Sequence, residues 1–405
     1  MNRFTRQMAS YLQQFGAVVR NEFRTIFTDG GVLLILVFAM LIYATAYSLA
    51  YGSQVLRNVP IGVVDACRTA TSRSLIETFN AGPNTYVAYE PTDMEEAREL
   101  FYGRKIYGVV YIPSDYERKL VGGSQADVAI YCDASYFLMY RQVFQELVTT
   151  IGQTGAMVEF RRLIAKGADI PQAQAVTQPV IYQSHNLFNP YLGYGTFVMP
   201  AIIIVIIQQT MLIGIGMIGG TWREHGLYRK LRPAGRGRMS TLPIVLGRGT
   251  VYALIYAVTC AYVLGLHYRM FHFPMNGQTG AVVLFTAVYL AACIAMSIAV
   301  STLFRYRENS LLLLLWTSIP VLMLSGISYP REGIPEWMFA LGKLFPSSHG
   351  VNGFIRIQTM GASLGEVFAE IKWLVILTVA YGGLTCIGIH QVIRREERER
   401  CGKGE

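Results

Sequence analysis

Charge is scarce in this sequence. Only 15% of the 405 residues are Asp, Glu, Lys or Arg, where soluble domains carry about 25%. The shortage is local: it falls in long apolar runs, and none of those runs contains an internal acidic residue. That distribution excludes an ordinary soluble globular protein. Catalytic and nucleotide motifs are missing as well. No GxxxxGK[ST] is present, so the chain has no P-loop with which to bind ATP itself. The absence of HExxH and of CxxC removes the zincin and zinc-finger classes. One GxSxG pattern occurs at residues 361–365 around Ser363. A nucleophile elbow needs a strand before it and a helix directly after it, and no strand-like run precedes this one.

What the chain has instead is apolar length. Apolar residues make up 52% and the mean hydropathy is +0.34. Crossing about 30 Å of hydrocarbon takes roughly 20 apolar residues. Runs that meet or approach this lie at 31–50, 197–219, 244–266, 281–304, 311–327 and 373–393. Arg248 sits near the start of the third, where it is expected to snorkel to the surface. The first run has the look of a signal peptide, but residues 1–30 precede it and contain Glu22 and Asp29, which favours a retained span. Leu12, Phe15, Val19, Phe23, Ile26 and Phe27 recur at helical spacing, so 1–30 reads as an amphipathic helix on the inner surface.

Basic residues flank the runs asymmetrically. Arg3, Arg6, Arg20 and Arg24, the cluster from Arg223 to Arg248, the pair Arg305 and Arg307, and the tail from Arg394 to Lys403 fall on one side. The other side holds only Arg269, Arg331, Lys343, Arg356 and Lys372 in its short loops. The positive-inside rule puts both termini and the basic tail 394–405 in the cytoplasm. The same pattern argues for membrane topology and against nucleic-acid binding. The expected fold is an α-helical integral membrane protein of six transmembrane helices. An α/β extracytoplasmic domain (52–190) is inserted between helices 1 (31–51) and 2, and the other five spans occupy 191–393.

Within 52–190, IGVVD from Ile61, TYVAYE from Thr85, IYGVVYI from Ile106 and DVAIYCD from Asp127 read as strands with helices between them. Such alternation gives a parallel or mixed sheet. Thr92 and Glu95 have the spacing of a capping box. Cys67 and Cys132 both fall here and form a candidate disulfide pair, left open because sequence does not give their separation. Cys260, Cys293 and Cys386 lie in apolar runs and read as small hydrophobes. Gln208 and Gln209 sit mid-span in the second helix, where amides bond across helices or line a transport path. Gly216 and Gly220 form GxxxG, a candidate dimer-packing seam. The loop 221–248 is the most polar cytoplasmic segment, and its start, 223–231, reads as a short helix able to dock on another protein. The semi-apolar stretches of 328–357 are too short to span and read as re-entrant.

Several of these stretches, in this order, resemble the permease subunit of an ABC-2-type exporter. They are IGVVDACRTATSRSLIETF from Ile61, MEEARELFYGRKIYGVVYIPSDYERKLVGG from Met94, and IYCDAS around Asp133. LFNPYLGYGTFVMPAI from Leu187, WREHGLYRKLRP from Trp222 and FPSSHGVNGFIRI from Phe345 follow. The resemblance covers almost the whole chain. It implies a transporter rather than an enzyme, with two permeases, as a homodimer or with a paralogue, bound to two cytoplasmic ABC ATPase subunits that carry ATP and Mg. This chain itself would bind no cofactor and no metal. The N-terminal helix and Arg223, Glu224, His225, Gly226 and Arg229 would contact the ATPase. The implied setting is a bacterial inner membrane, with a periplasmic membrane-fusion adaptor and an outer-membrane duct as further partners and a drug-like or amphipathic cargo. A reading of a different class is a membrane-anchored envelope assembly protein that recruits a partner through its outer domain.

Overall fold

The computed structural model describes residues 3–181, 183–228 and 241–401. The helical periodicity of the N-terminal segment becomes α1 (Arg3–Thr28). Its positions 18, 22 and 26 are buried, while Leu12, Phe23 and Phe27 stay exposed, so the helix carries a packed stripe and a separate apolar surface. Asp29 ends it and caps α2 (Gly30–Ala50), accepting from the backbone N–H of Gly31 and Val32. α2 is continuous apart from a π-helical stretch at Leu34–Ala39.

Residues Val55–His185 form one compact unit and the rest of the chain another. The first contains β1 (Val59–Asp65), α3 (Ala70–Ala81), β2 (Thr85–Tyr89), α4 (Met94–Tyr102) and β3 (Gly108–Ile112). α5 (Tyr116–Gly122), β4 (Ala129–Cys132), α6 (Phe137–Ala165) and α7 (Ile170–Thr177) follow. The sheet order is β2-β1-β3-β4, with β1 parallel to both neighbours and β4 antiparallel to β3. Strand alternation sorts the core. Ile61, Val63, Val110 and Ile112 pack with Leu75 and Phe79 of α3 and Leu147 of α6, while Val64 and Val109 pack with Ala97 of α4. Both faces of β1 and β3 are therefore covered, as their unbroken apolar runs require.

Two local expectations change. Asp93, not Thr92, caps α4, accepting from Glu95 and Glu96 N–H, while the Glu96 carboxylate reaches back to Thr92; the box slides by one residue because Asp93 fits the cap position as well as Thr does. Cys67 and Cys132 are free thiols. Cys67 follows β1, whose end pairs with Ile112, whereas Cys132 pairs with Gly108 at the start of β3. Four residues of strand separate those levels by about 13 Å, beyond the reach of a disulfide. Burial pushes the Cys132 thiol up to about 11.

The remaining unit is helical: α8 (Tyr194–Glu224), α9 (Leu242–Met270), α10 (Thr279–Ser301), α11 (Arg307–Leu324), α12 (Glu336–Gly342), α13 (Pro346–Phe354) and α14 (Phe368–Cys401). Five helices among the described residues are long and apolar enough to cross a membrane, namely α2, α8, α9, α10 and α14 through Glu399. The fifth predicted span is α11. It is 18 residues long and opens on Arg307 and Glu308, which shortens its apolar stretch, and it is not among the five. α8 is the core of the bundle, with 83% of its most apolar window buried against 28% for α2 and for α14. At the far end of α2, Gln54 accepts from the N–H and hydroxyl of Thr196 at 3.0 and 3.2 Å, tying α2 to the start of α8. Ser363 caps a turn: its hydroxyl donates to Glu366 at 2.8 Å.

Candidate functional site

α1, α8 and α9 meet at a buried charged cluster. α9 brings Arg248 and Tyr252, one helical turn apart, to the stripe on α1 that carries Glu22. All three side chains are fully buried. Arg248 Nε donates to Glu22 Oε1 at 2.9 Å, and the Tyr252 hydroxyl donates to the same oxygen. The close approach is made possible by Gly247, where a Cβ would meet Val18 of α1 at 3.0 Å. α8 joins through Trp222, whose ring centroid lies 5.2 Å from the Arg248 guanidinium. Tyr228, past the end of α8, packs edge-on against Trp222 at 5.6 Å. Arg248 does not snorkel to the surface. A buried carboxylate is within reach on another helix, and pairing with it replaces the water that the side chain would otherwise seek.

A second pair repeats the device. Arg307, at the start of α11, donates from Nη1 and Nη2 to the two Asp29 oxygens at 2.5 and 3.0 Å. The Arg307 hydrogen bond holds the Asp29 carboxyl below the usual carboxylate range, against an opposing contribution from partial burial. Both acids of the segment that precedes α2 are thus tied to arginines at the starts of later helices, which fixes α1 against the bundle. Between α1 and the turn after α8 lies a groove of about 390 Å³, lined by Gln14, Asn21, Thr25, Trp222 and Leu227.

Arg223 and Glu224 are the last turn of α8. Residues 229–231 of the expected helix over 223–231 lie outside the described residues, and 225–227 are not helical. The chain turns at His225, whose Nδ1 lies 2.9 Å from the Thr221 carbonyl, and at Gly226, whose φ of +58° is left-handed. Glycine tolerates that conformation and other residues resist it. A Cβ there would approach Glu396 of α14 at 4.0 Å. Arg229 lies outside the described residues.

Gln208 and Gln209 are buried in the bundle. Gln208 Oε1 accepts from the Ser347 backbone N–H of α13 at 2.7 Å. Gln208 Nε2 and both amide atoms of Gln209 have no hydrogen-bond partner among the described residues. Nearby, the Tyr256 hydroxyl donates to Thr210 at 2.7 Å and that of Tyr289 to the Ile204 carbonyl at 2.6 Å. The short α13 packs against this level because Gly350 lets it lie on the Tyr289 ring, 2.4 Å from where a Cβ would stand. Gly216 and Gly220 are also buried within the chain. A Cβ at Gly220 would meet the Tyr306 carbonyl at 2.7 Å, so the close approach at this glycine is made to the turn before α11. Among the described residues no group of three or more His, Cys, Asp or Glu is placed to hold a metal ion.

Glu22, Arg248, Tyr252 and Trp222 were not among the expected functional residues. Their signal was an acid on an apolar helix face and a cation inside an apolar run, each anomalous alone and explained only by the other.

Residues 30–387 match the family model of the ABC-2 family transporter protein. The chain is 21% identical over 369 residues to the probable multidrug ABC transporter permease YbhR of Escherichia coli K12, covering 90% of this chain and 95% of the relative. It is 25% identical over 376 residues to the inner membrane transport permease YhhJ of the same organism, covering 89% and 92%. It is also 21% identical over 367 residues to the ABC transporter G family member 20 of Dictyostelium discoideum, covering 89% of this chain and 48% of that protein.

Proposed function

We propose that this chain, which belongs to the ABC-2 family of transporter proteins and is a multi-pass membrane protein, is the permease subunit of an ATP-driven exporter. ABC-2 permeases work with an ATPase subunit, and here that subunit docks on α1 and the turn after α8. One observation carries the reading: α1, the end of α8 and α9 converge on the buried Glu22–Arg248–Tyr252 cluster. A push on α1 or on the turn therefore reaches two long apolar helices without passing through a flexible joint. In this reading α11 is the fifth of six spans, α12 and α13 are re-entrant, and both termini are cytoplasmic. Val55–His185 is then an α/β domain on the periplasmic side of a bacterial inner membrane, where an adaptor and an outer-membrane duct engage it. A second permease copy packs on the exposed apolar side of α11, formed by Leu312, Leu315, Trp316 and Ile319. The cargo is an amphipathic or drug-like molecule, as the name of the multidrug relative suggests, and Gln208 and Gln209 line its path.

The test is Glu224→Ala combined with Gly226→Pro. Proline fixes φ near −65°, opposite in sign to the +58° at Gly226, so the turn must rearrange. Losing the exposed Glu224 charge by itself has little effect. The expected result is normal insertion and normal ATPase co-purification, with loss of cargo-stimulated ATP hydrolysis. A double variant that transports at the native rate removes the turn from the coupling path. Failure to isolate any ATPase with the native protein favours an envelope-assembly role.

A further inference from the structure

A groove unrelated to the coupling cluster lies between α9 and α10. Its volume is about 440 Å³, within the ~300–1,000 Å³ range of small-molecule sites. Its walls are mostly apolar, from Cys260 and Leu264 on α9 to Leu290 on α10, and Arg269 stands at the end of α9. Two polar side chains, Thr286 and Gln358, also line it. Both are more than nine-tenths buried, and Thr286 Oγ1 and Gln358 Nε2 have no hydrogen-bond partner among the described residues. Buried donors are normally satisfied, so an amide N–H and a hydroxyl here await an acceptor. The exposed guanidinium of Arg269 likewise makes no ion pair or side-chain hydrogen bond among the described residues.

The groove is built rather than incidental. Asn276 N–H donates to the Gln358 carbonyl at 3.0 Å and Asn276 Nδ2 to the Thr359 carbonyl at 2.7 Å, clamping the α9–α10 loop to the segment that carries Gln358. Gly277 permits the clamp, since a Cβ there would meet the Ile357 carbonyl at 2.6 Å. On the α9 side, a π-helical stretch at Ala261–His267 widens the helix along the groove, a feature common at functional sites. A Cβ at Gly265 meets nothing within 4 Å.

We propose that this groove binds an anionic phospholipid from the surrounding bilayer. The flanking side chains Val258, Leu266 and Val283 are exposed and apolar, so the groove opens onto hydrocarbon. An acyl chain lies along its walls. Arg269, at the helix end where headgroups lie, forks onto the phosphate, and Gln358 and Thr286 donate to the ester oxygens. The inference rests on the membrane assignment and not on the cargo or the ATPase, so either can fail alone.

The test uses the full chain in detergent micelles, with native mass spectrometry counting adducts of phosphatidylglycerol and phosphatidylcholine. The native protein should retain phosphatidylglycerol preferentially. Arg269→Gln, at an exposed position, should weaken that retention about tenfold and abolish the preference, while Lys372→Gln leaves it intact. Gly265→Phe should reduce retention of both lipids by filling the groove. Equal retention of the two lipids by the native protein, unchanged preference in Arg269→Gln, or displacement of phosphatidylglycerol by inorganic phosphate without loss in Gly265→Phe would each overturn the proposal.

Discussion

Removing the Glu22 carboxylate strands two groups that are fully buried, the Arg248 cation and the Tyr252 hydroxyl. Breaking a buried ion pair from one side costs about 3–5 kcal/mol. The orphaned hydroxyl adds about 1–3 kcal/mol. The two share one oxygen, so they do not add fully. The Arg248–Trp222 contact at 5.2 Å is present before and after and cancels. Glu22→Ala should therefore lower stability by on the order of 4 kcal/mol. Glu22→Met with Arg248→Met should regain the ion-pair part of that loss, because an apolar pair of similar volume leaves no buried charge, while the Tyr252 hydroxyl stays without its acceptor. Tyr252→Phe removes only one hydroxyl, but one bonded to a carboxylate, and should cost about 1.5–3 kcal/mol. Reversible denaturation in mixed micelles, followed by tryptophan emission, reads all four proteins, and Trp222 sits at the cluster. A loss below about 1 kcal/mol in Glu22→Ala, or a double variant no more stable than the single, would refute the claim that this pair anchors α1.

The pairing of Asp29 with Arg307 makes a pH-dependent contribution. Its carboxyl is held below the ordinary range, so the stabilisation is complete above about pH 4, where the unfolded carboxyl is ionised. It is lost as pH falls through the lower folded value. Asp29→Asn should thus be less stable than the native protein at neutral pH, and the two unfolding curves should converge in acid; a gap that persists unchanged there contradicts the assignment. The charge asymmetry makes a separate prediction about sidedness. In a cysteine-free background, Ser124→Cys should react with an impermeant thiol reagent on intact cells and Ser240→Cys only after lysis; the reverse pattern would invert the topology and displace the ATPase from the turn after α8.

The long helices were legible because hydrocarbon leaves an apolar run no other way to satisfy its backbone, and length alone then marks its ends. The strands from Ile61 and Ile106 were legible for a related reason, since strands covered on both faces read as unbroken apolar runs. Side-chain partners were not legible. Glu22 and Arg248 are 226 residues apart and Asp29 and Arg307 are 278 apart, and nothing local says which cation answers which acid. The cap at Asp93, the bend at Gly226 and the free thiols of Cys67 and Cys132 turned on cap competition, one dihedral angle and strand register. Which segments are apolar helices, which are strands, and where charge is concentrated could be read from the order of residues, because these follow from composition and period along one stretch of chain. Packing in three dimensions settled that Arg248 is buried rather than snorkelling, that the glycine pair is packed inside the chain, and that a groove lies between α9 and α10. Those outcomes depend on which distant surfaces come into contact, and desolvation makes the contact decisive.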